Sequence, residues 1–303
     1  MRGAVQCMNV HVTPSFCTAL TSLGPQILWV IVDRVKYREV SIGRGAATPI
    51  LSLSQTVESV SQRWPEQLWI VRHGQSAGNV VRDSADATGK LTVDIAERDV
   101  DVPLSALGFD QARALGHWFN SLAPQCRPTV VLTSPYLRAQ QTVACIAEAG
   151  GLQSAAGVRA DERIREREFG IIDRLTRLGI AKKFPEQAAA RERQGKFYYR
   201  PPGGESWCDV ILRLRTVLDT ISLHHSGRGT RVLIVAHQVV VLCLRYLLEG
   251  MSEEQILRVD HDGEVVNCGV TEYRLRCDAS ALTNDDALLQ LVKYNFVVPG
   301  MSA

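Results

Sequence analysis

The sequence predicts an α/β protein: a three-layer α/β/α sandwich with a mainly parallel central sheet. Two observations carry this. Three short runs rich in β-branched residues, Leu68-Trp69-Ile70-Val71, Thr129-Val130-Val131-Leu132 and Arg231-Val232-Leu233-Ile234-Val235-Ala236, have the continuous apolar character of strands buried on both faces. Each is followed by a helix-like segment, and strand-helix alternation builds parallel sheets covered on both sides. Taken in order, Ser105 is placed to cap a helix carrying Leu107, Ala112, Leu115, Trp118, Phe119 and Leu122 at three-to-four spacing. A second helix is expected over 135–149. A third runs over 205–223, with Trp207, Val210, Ile211, Leu214, Val217, Leu218 and Ile221 on one stripe, after the breaker Pro201-Pro202-Gly203-Gly204. An apolar helix over 239–248 follows the third strand. The alternating Thr271, Tyr273 and Leu275 and the later Leu289-Gln290-Leu291-Val292 predict closing strands. The His224-His225 pair falls at a helix end, where interaction with terminal carbonyls outweighs metal binding as its reading.

Composition narrows the function classes. The 303 residues are 46% hydrophobic and 22% charged, which excludes disorder throughout. A net charge of +2 gives no overall field for nucleic acid or a membrane surface, so neither is expected as a partner. Cationic function must be local, and 28 of the 34 cationic side chains are Arg, whose planar fork suits phosphate or carboxylate. The eight Cys lack a close CxxC pair, which argues against a zinc site or a disulfide scaffold and makes a reducing cytoplasm the default expectation. The longest apolar run near the start, Ile27 to Val32, is too short to span a bilayer. Residues 1–66 lack sustained periodicity and are expected to be an N-terminal extension whose order the sequence leaves open; a coding start further downstream is the alternative. The folded domain is expected over 67–303.

In parallel α/β sheets ligands bind beyond the carboxyl ends of the strands, so the residues after each apolar run are the informative ones. The first run leads into Arg72-His73-Gly74-Gln75-Ser76-Ala77-Gly78-Asn79, the second into Ser134-Pro135-Tyr136-Leu137-Arg138, the third into His237-Gln238. Two Arg and two His thus reach one sheet edge from three separated segments, as a dianion pocket requires. Taken singly, His237 is as readily a structural hydrogen-bonder; the coincidence of three strand ends is what points to chemistry. A phosphoryl group carries about two negative charges, and fixed guanidinium and imidazole donors stabilise the charge spread in its transition state. Mutual repulsion among these cations favours a neutral imidazole in the empty site, and a neutral ring nitrogen is a nucleophile. That role is expected of His73, with Gly74 keeping side-chain bulk away so that the backbone approaches the ligand. A leaving alkoxide then needs a proton from a carboxylic acid in the same pocket. The charge run Asp161 to Glu168 offers candidates, though such a run is as readily a solvated face.

The strings LWIVRHGQSAGN, SPYLRAQQT, RIREREFG, PPGGESW and IVAHQ, in this order over about 67–250, resemble the histidine phosphatase superfamily, the phosphoglycerate-mutase-like proteins of branch one. The resemblance implies that His73 accepts the phosphoryl group, that Arg72, Arg138 and His237 complete the phosphate pocket, and that Asn79 and Gln238 lie near substrate. It selects Glu166 over Glu168 as general acid and base, because an Arg, one further residue, an aromatic and a Gly follow it; Arg167 joins the substrate-binding candidates. Substrate choice in this family lies between the acid and the next helix, here 171–204, an expected lid over the pocket mouth. Its Lys182-Lys183-Phe184-Pro185-Glu186 and Gly195-Lys196-Phe197-Tyr198-Tyr199-Arg200 stretches resemble fructose-2,6-bisphosphatase, so Lys196, Tyr198 and Arg200 are expected to meet a second anionic group; a basic, aromatic surface element is the plainer reading. Leu242 stands where the bisphosphatase has another phosphate-binding Arg, and the spacing before Lys196 differs by one residue. No GxxxxGK[ST] loop occurs, so no ATP-using kinase half is expected in this chain.

The reaction these residues predict is hydrolysis of a phosphomonoester, on a small phosphorylated metabolite, by way of a phosphohistidine, without metal or cofactor. A mutase that retains a bisphosphorylated intermediate and a non-catalytic phospho-ligand binding module are the alternatives. The substrate and oligomeric state are left open.

Overall fold

The computed structural model describes residues 31–32, 35–36, 63–276 and 289–301. The chain divides into two units, Met1–Ser61 and Gln62–Ala303. In the first, β1 (Ile31–Val32) pairs antiparallel with β2 (Val35–Lys36). The second holds a six-stranded sheet of β3 (Pro65–Arg72), β4 (Val130–Thr133), β5 (Gly157–Ala160), β6 (Gly227–Ala236), β7 (Val270–Leu275) and β8 (Leu289–Phe296), in the order β5-β4-β6-β3-β7-β8. β5, β4, β6 and β3 are mutually parallel, and β7 and β8 add on antiparallel. The expected mainly parallel sheet and its closing strands are therefore present.

Successive side chains of a strand point to opposite faces, and this splits the apolar runs between two cores. Leu68, Ile70, Val232, Ile234 and Ala236 pack with α6 (Trp207–His224) and α7 (Gln238–Leu248) on one face. Trp69, Val71, Val131, Leu233 and Val235 pack with α2 (Ala106–Ser121) and α3 (Leu137–Glu148) on the other. The helix stripes read from the sequence are the buried ones: Trp207, Val210, Ile211, Leu214, Val217, Leu218 and Ile221 of α6 are all in the core. Ser105 caps α2, its hydroxyl accepting from the Gly108 N–H at 3.0 Å. Four helices were not anticipated. α1 (Ala77–Ala87) and α8 (Glu253–Asp262) each begin with a Ser capping box, and α4 (Arg177–Lys183) is capped by Thr176. Together with α5 (Pro185–Tyr198), α4 makes the expected lid segment helical. No helix among the described residues is long and apolar enough to cross a membrane.

Strand register positions the site. Arg72 of β3 pairs with Ala236 of β6, and Thr133 of β4 pairs with Val235. The next residues, His73 and His237, therefore leave the sheet at the same level, and Ser134 one residue before them. The His73 N–H donates to Ala236 O at 2.9 Å and the Ser134 N–H to Val235 O at 3.0 Å, which ties the three strand ends together.

Candidate active site

The three strand ends open into a cavity of about 360 Å³ lined by Arg72, His73, Arg138, Glu166 and Gln238, among others. His73 is buried, and its Nδ1 lies 2.7 Å from Gly74 O. A carbonyl accepts only, so Nδ1 carries the ring proton and Nε2 keeps its lone pair. The Nε–H of Arg138 donates to Nε2 at 3.2 Å. His237 is fully buried, its ring 5.1 Å from that of His73 between centroids. Its Nε2 hydrogen-bonds the Ser134 hydroxyl at 2.7 Å, while its Nδ1 has no partner and lies 3.6 Å from Glu166 Oε2. Buried polar atoms are normally satisfied, so an orphaned nitrogen beside a cavity marks where a ligand bonds. Arg72 leaves its Nε likewise unpaired, with Nη1 donating to Val265 O. The amino end of α7 adds the positive end of a helix dipole, Gln238 and Val239 both lining the cavity.

The electrostatics follow from burial next to guanidinium groups. Burial, then Arg138 and Arg72, hold the His73 imidazole well below its ordinary pKa, and burial with Arg138 does the same to His237. Both rings are therefore neutral near pH 7. Burial raises the Glu166 carboxyl above its ordinary value, against the opposing pull of Arg138 and of the Arg167 N–H, which donates to Oε1 at 2.8 Å. One neutral nitrogen nucleophile and one carboxyl poised to hold a proton thus face the same cavity, the pairing that acid-assisted group transfer needs.

Of the residues expected from sequence, Arg72, His73, Asn79, Arg138, Glu166, Arg167, Lys196 and Gln238 all line this cavity, and His237 lies against His73. Asn79 also caps α1, its Oδ1 accepting from the Ser76 N–H at 2.9 Å. Lys196 is ion-paired with Asp260, and its ammonium sits over the Trp207 ring at 5.4 Å. Tyr198 and Arg200 are not brought to the cavity. Gly195 breaks α5 with a φ of 78°, after which Lys196 lines the cavity, Phe197 enters the core and Tyr198 is exposed. Arg200 pairs with Asp209 in the first turn of α6. Gly74 is needed for another reason than ligand approach: a Cβ there would sit 2.5 Å from Gly108 O, so the residue admits the first turn of α2.

Ser134, Asn267, Asp99 and Arg191 are among the residues of the site that were not anticipated, as are the cavity-lining Arg82, Asp83, Asp173, Arg174, Asp260 and Glu264. Ser134 orients His237, and its place directly after β4 is the same signal that found the others. Asn267, whose Nδ2 donates to His73 O at 2.9 Å, has no local signature. Asp99, which pairs with Arg138 at 3.0 Å, lies in an ordinary charged stretch. Arg191 of α5 lines the cavity without having been singled out among the cations of the lid.

A doubly covered, mainly parallel sheet with an Arg- and His-lined cavity at its carboxyl edge defines an α/β protein whose site suits an anionic group. This chain belongs to the histidine phosphatase superfamily, branch 1, whose family model matches residues 68–284. It is 30% identical over 213 residues to the 2,3-bisphosphoglycerate-dependent phosphoglycerate mutase of Methylorubrum populi, covering 70% of this chain and 91% of the relative. It is also 30% identical over 191 residues to fructose-2,6-bisphosphatase of Saccharomyces cerevisiae, covering 63% of this chain but only 36% of that relative. Among solved structures, a mycobacterial glucosyl-3-phosphoglycerate phosphatase complexed with VO3 superposes with a TM-score of 0.57 at 24% identity, over 76% of this chain and 98% of the other. The α-ribazole phosphatase of Shigella flexneri gives 0.58 at 21%, over 78% and 100%. These two likenesses bear on the fold.

Proposed function

We propose that this chain is a phosphomonoester hydrolase working through a phosphohistidine on His73, with a small phosphorylated metabolite as substrate. The observation that carries the reading is the state of His73: Nδ1–H is committed to Gly74 O, and the Nε2 lone pair, which accepts from the Arg138 Nε–H, is the one available to phosphorus when that hydrogen bond opens. The phosphate oxygens are held by Arg72 and His237, the last through Nδ1–H when the Ser134 hydroxyl donates to Nε2, with the Nε edge of Arg138 beside the reacting centre. His73 Nε2 attacks phosphorus in line, the ester P–O bond breaks, and the leaving oxygen takes the proton of Glu166. Water then attacks the phosphohistidine and gives its proton to the Glu166 carboxylate, and cleavage of the N–P bond restores the His73 lone pair. The guanidinium groups supply the positive charge for both steps, so neither is routed through a metal.

A mutase is the second reading, supported by the name of the Methylorubrum relative. The test is phosphate release from p-nitrophenyl phosphate and a panel of sugar and glycerate phosphates without added bisphosphoglycerate. Steady release of inorganic phosphate supports hydrolysis. Phosphoryl exchange between glycerate positions without release supports the mutase, and binding with neither supports a non-catalytic module.

A further inference from the structure

Besides Glu166 the cavity is lined by Asp83, Asp99, Asp173, Asp260 and Glu264, which the reaction outlined above does not use, and Asp99 is the one paired with Arg138. Asp99 opens the short turn Asp99–Asp101 ahead of α2 and lines the cavity. A negative charge on the wall of a dianion site weakens substrate binding, so its presence calls for a use. Its contacts supply one. Arg138 Nη1 donates to Asp99 O at 2.6 Å and to Oδ1 at 3.0 Å, and Nη2 donates to Oδ2 at 3.3 Å. The guanidinium is buried, and it also lies over the Tyr136 ring at 4.9 Å. Three of the four terminal N–H groups are thereby committed to Asp99, and the Nε–H is the one aimed at His73 Nε2.

Tethering of the loop is the competing use, and the loop already has a tether. Arg174 donates to Ile95 O at 2.8 Å and to Glu97 O at 2.6 Å, while Arg98 and Asp101 pair within the turn. We propose that Asp99 is a positioning residue: it withholds the two terminal nitrogens of Arg138 from the substrate and presents the Nε edge to the reacting centre. The proposal rests on the phosphohistidine reading of this site. A released guanidinium would grip a phosphate dianion with its fork, the geometry of strong ground-state binding. A held one acts where phosphorus meets nitrogen, and binding of the ground state alone does not raise turnover.

The charge of Asp99 also reaches Glu166, whose carboxyl it helps to push above its ordinary value. The other groups facing Glu166 are Arg138, Arg72, His237 and the Arg167 N–H, together with Arg213, which donates to its backbone oxygen. Removing the Asp99 charge therefore moves the alkaline limb of turnover to lower pH.

The test compares wild type, Asp99→Asn and Asp101→Asn, with Asp99→Ser as a second variant should Asp99→Asn fail to fold. Binding of inorganic phosphate by calorimetry, the 15N resonance of His73 Nε2, and kcat on p-nitrophenyl phosphate and on an alkyl phosphate against pH are measured. In Asp99→Asn, kcat is expected to fall about 10-fold or more, the scale of a reacting group slightly misplaced. Phosphate affinity should hold or tighten, the Nε2 resonance should move toward that of an unbonded nitrogen, and Asp101→Asn should match wild type. An unchanged Nε2 resonance, or phosphate affinity lost in step with kcat, would overturn the proposal. If wild type shows no turnover, the functional reading fails by itself, and the resonance and phosphate binding still decide the role of Asp99.

Discussion

In the proposed mechanism the two ring nitrogens of His73 have separate tasks, and Glu166 is the proton donor; substitution should expose these roles. His73→Ala removes the attacking Nε2, so the acid-labile phosphoenzyme trapped from p-nitrophenyl phosphate should vanish and kcat should fall by more than about 10³-fold. Glu166→Gln removes a proton donor. Its cost should depend on the leaving group: about 10²–10⁴-fold for an alkyl phosphate, the usual worth of acid catalysis, and markedly less for p-nitrophenyl phosphate. Equal losses on the two substrates would count against Glu166 as the acid. The same carboxyl sets a pH dependence. It is raised above its ordinary value and must be protonated to serve the first step, so kcat on alkyl phosphates should decline as pH rises through its titration. At this scale much was legible from sequence, because Arg72, His73 and His237 are chain neighbours of strand ends and Glu166 sits in a recognisable string. Asp99 and Asn267 were not, since only folding brings them to Arg138 and His73.

Among the elements, α2 meets the loop after β3 in close backbone contact. A Cβ at Gly108 would lie 1.9 Å from Gln75 O, and one at Gly74 2.5 Å from Gly108 O, both against backbone that has no rotamer to change. Gly108→Ala should therefore destabilise the fold by about 2–3 kcal/mol, the cost of overpacking, measured as a shift in the urea midpoint. It should also lower kcat, because the loop that moves carries the Gly74 carbonyl bonded to His73. The helices α2, α3, α6 and α7 were legible from their apolar periodicity, which burial against a sheet face demands. In the lid, α4 and α5 were not assigned, and there the outcome turned on the Gly195 break. That break decides which of Lys196, Phe197 and Tyr198 meets the cavity, the core and the solvent, and residue type alone cannot report it.

For the molecule as a whole, burying two imidazoles side by side couples stability to pH. His73 and His237 both sit well below their ordinary value of 6.5, so the unfolded chain binds protons below that pH that the folded chain refuses. Stability is then complete above about pH 6.5 and is lost as pH falls below it. Glu166 acts with the opposite sign: its raised carboxyl favours the folded state in acid, and that contribution is lost as pH rises through its folded value. Two histidines against one carboxyl predict a lower urea midpoint at pH 5 than at pH 7, with the difference reduced in His73→Ala. An equal midpoint at both pH values would show that the buried rings do not control acid stability. The sequence by itself determined the sheet, its covering helices, the family and the five residues at the heart of the pocket, because local apolar patterning and contiguous motifs encode them. Only the tertiary structure decided how Asp99 holds Arg138, how Ser134 orients His237 and which lid cations reach the cavity, because those contacts depend on strand register and helix phase between segments far apart in the chain.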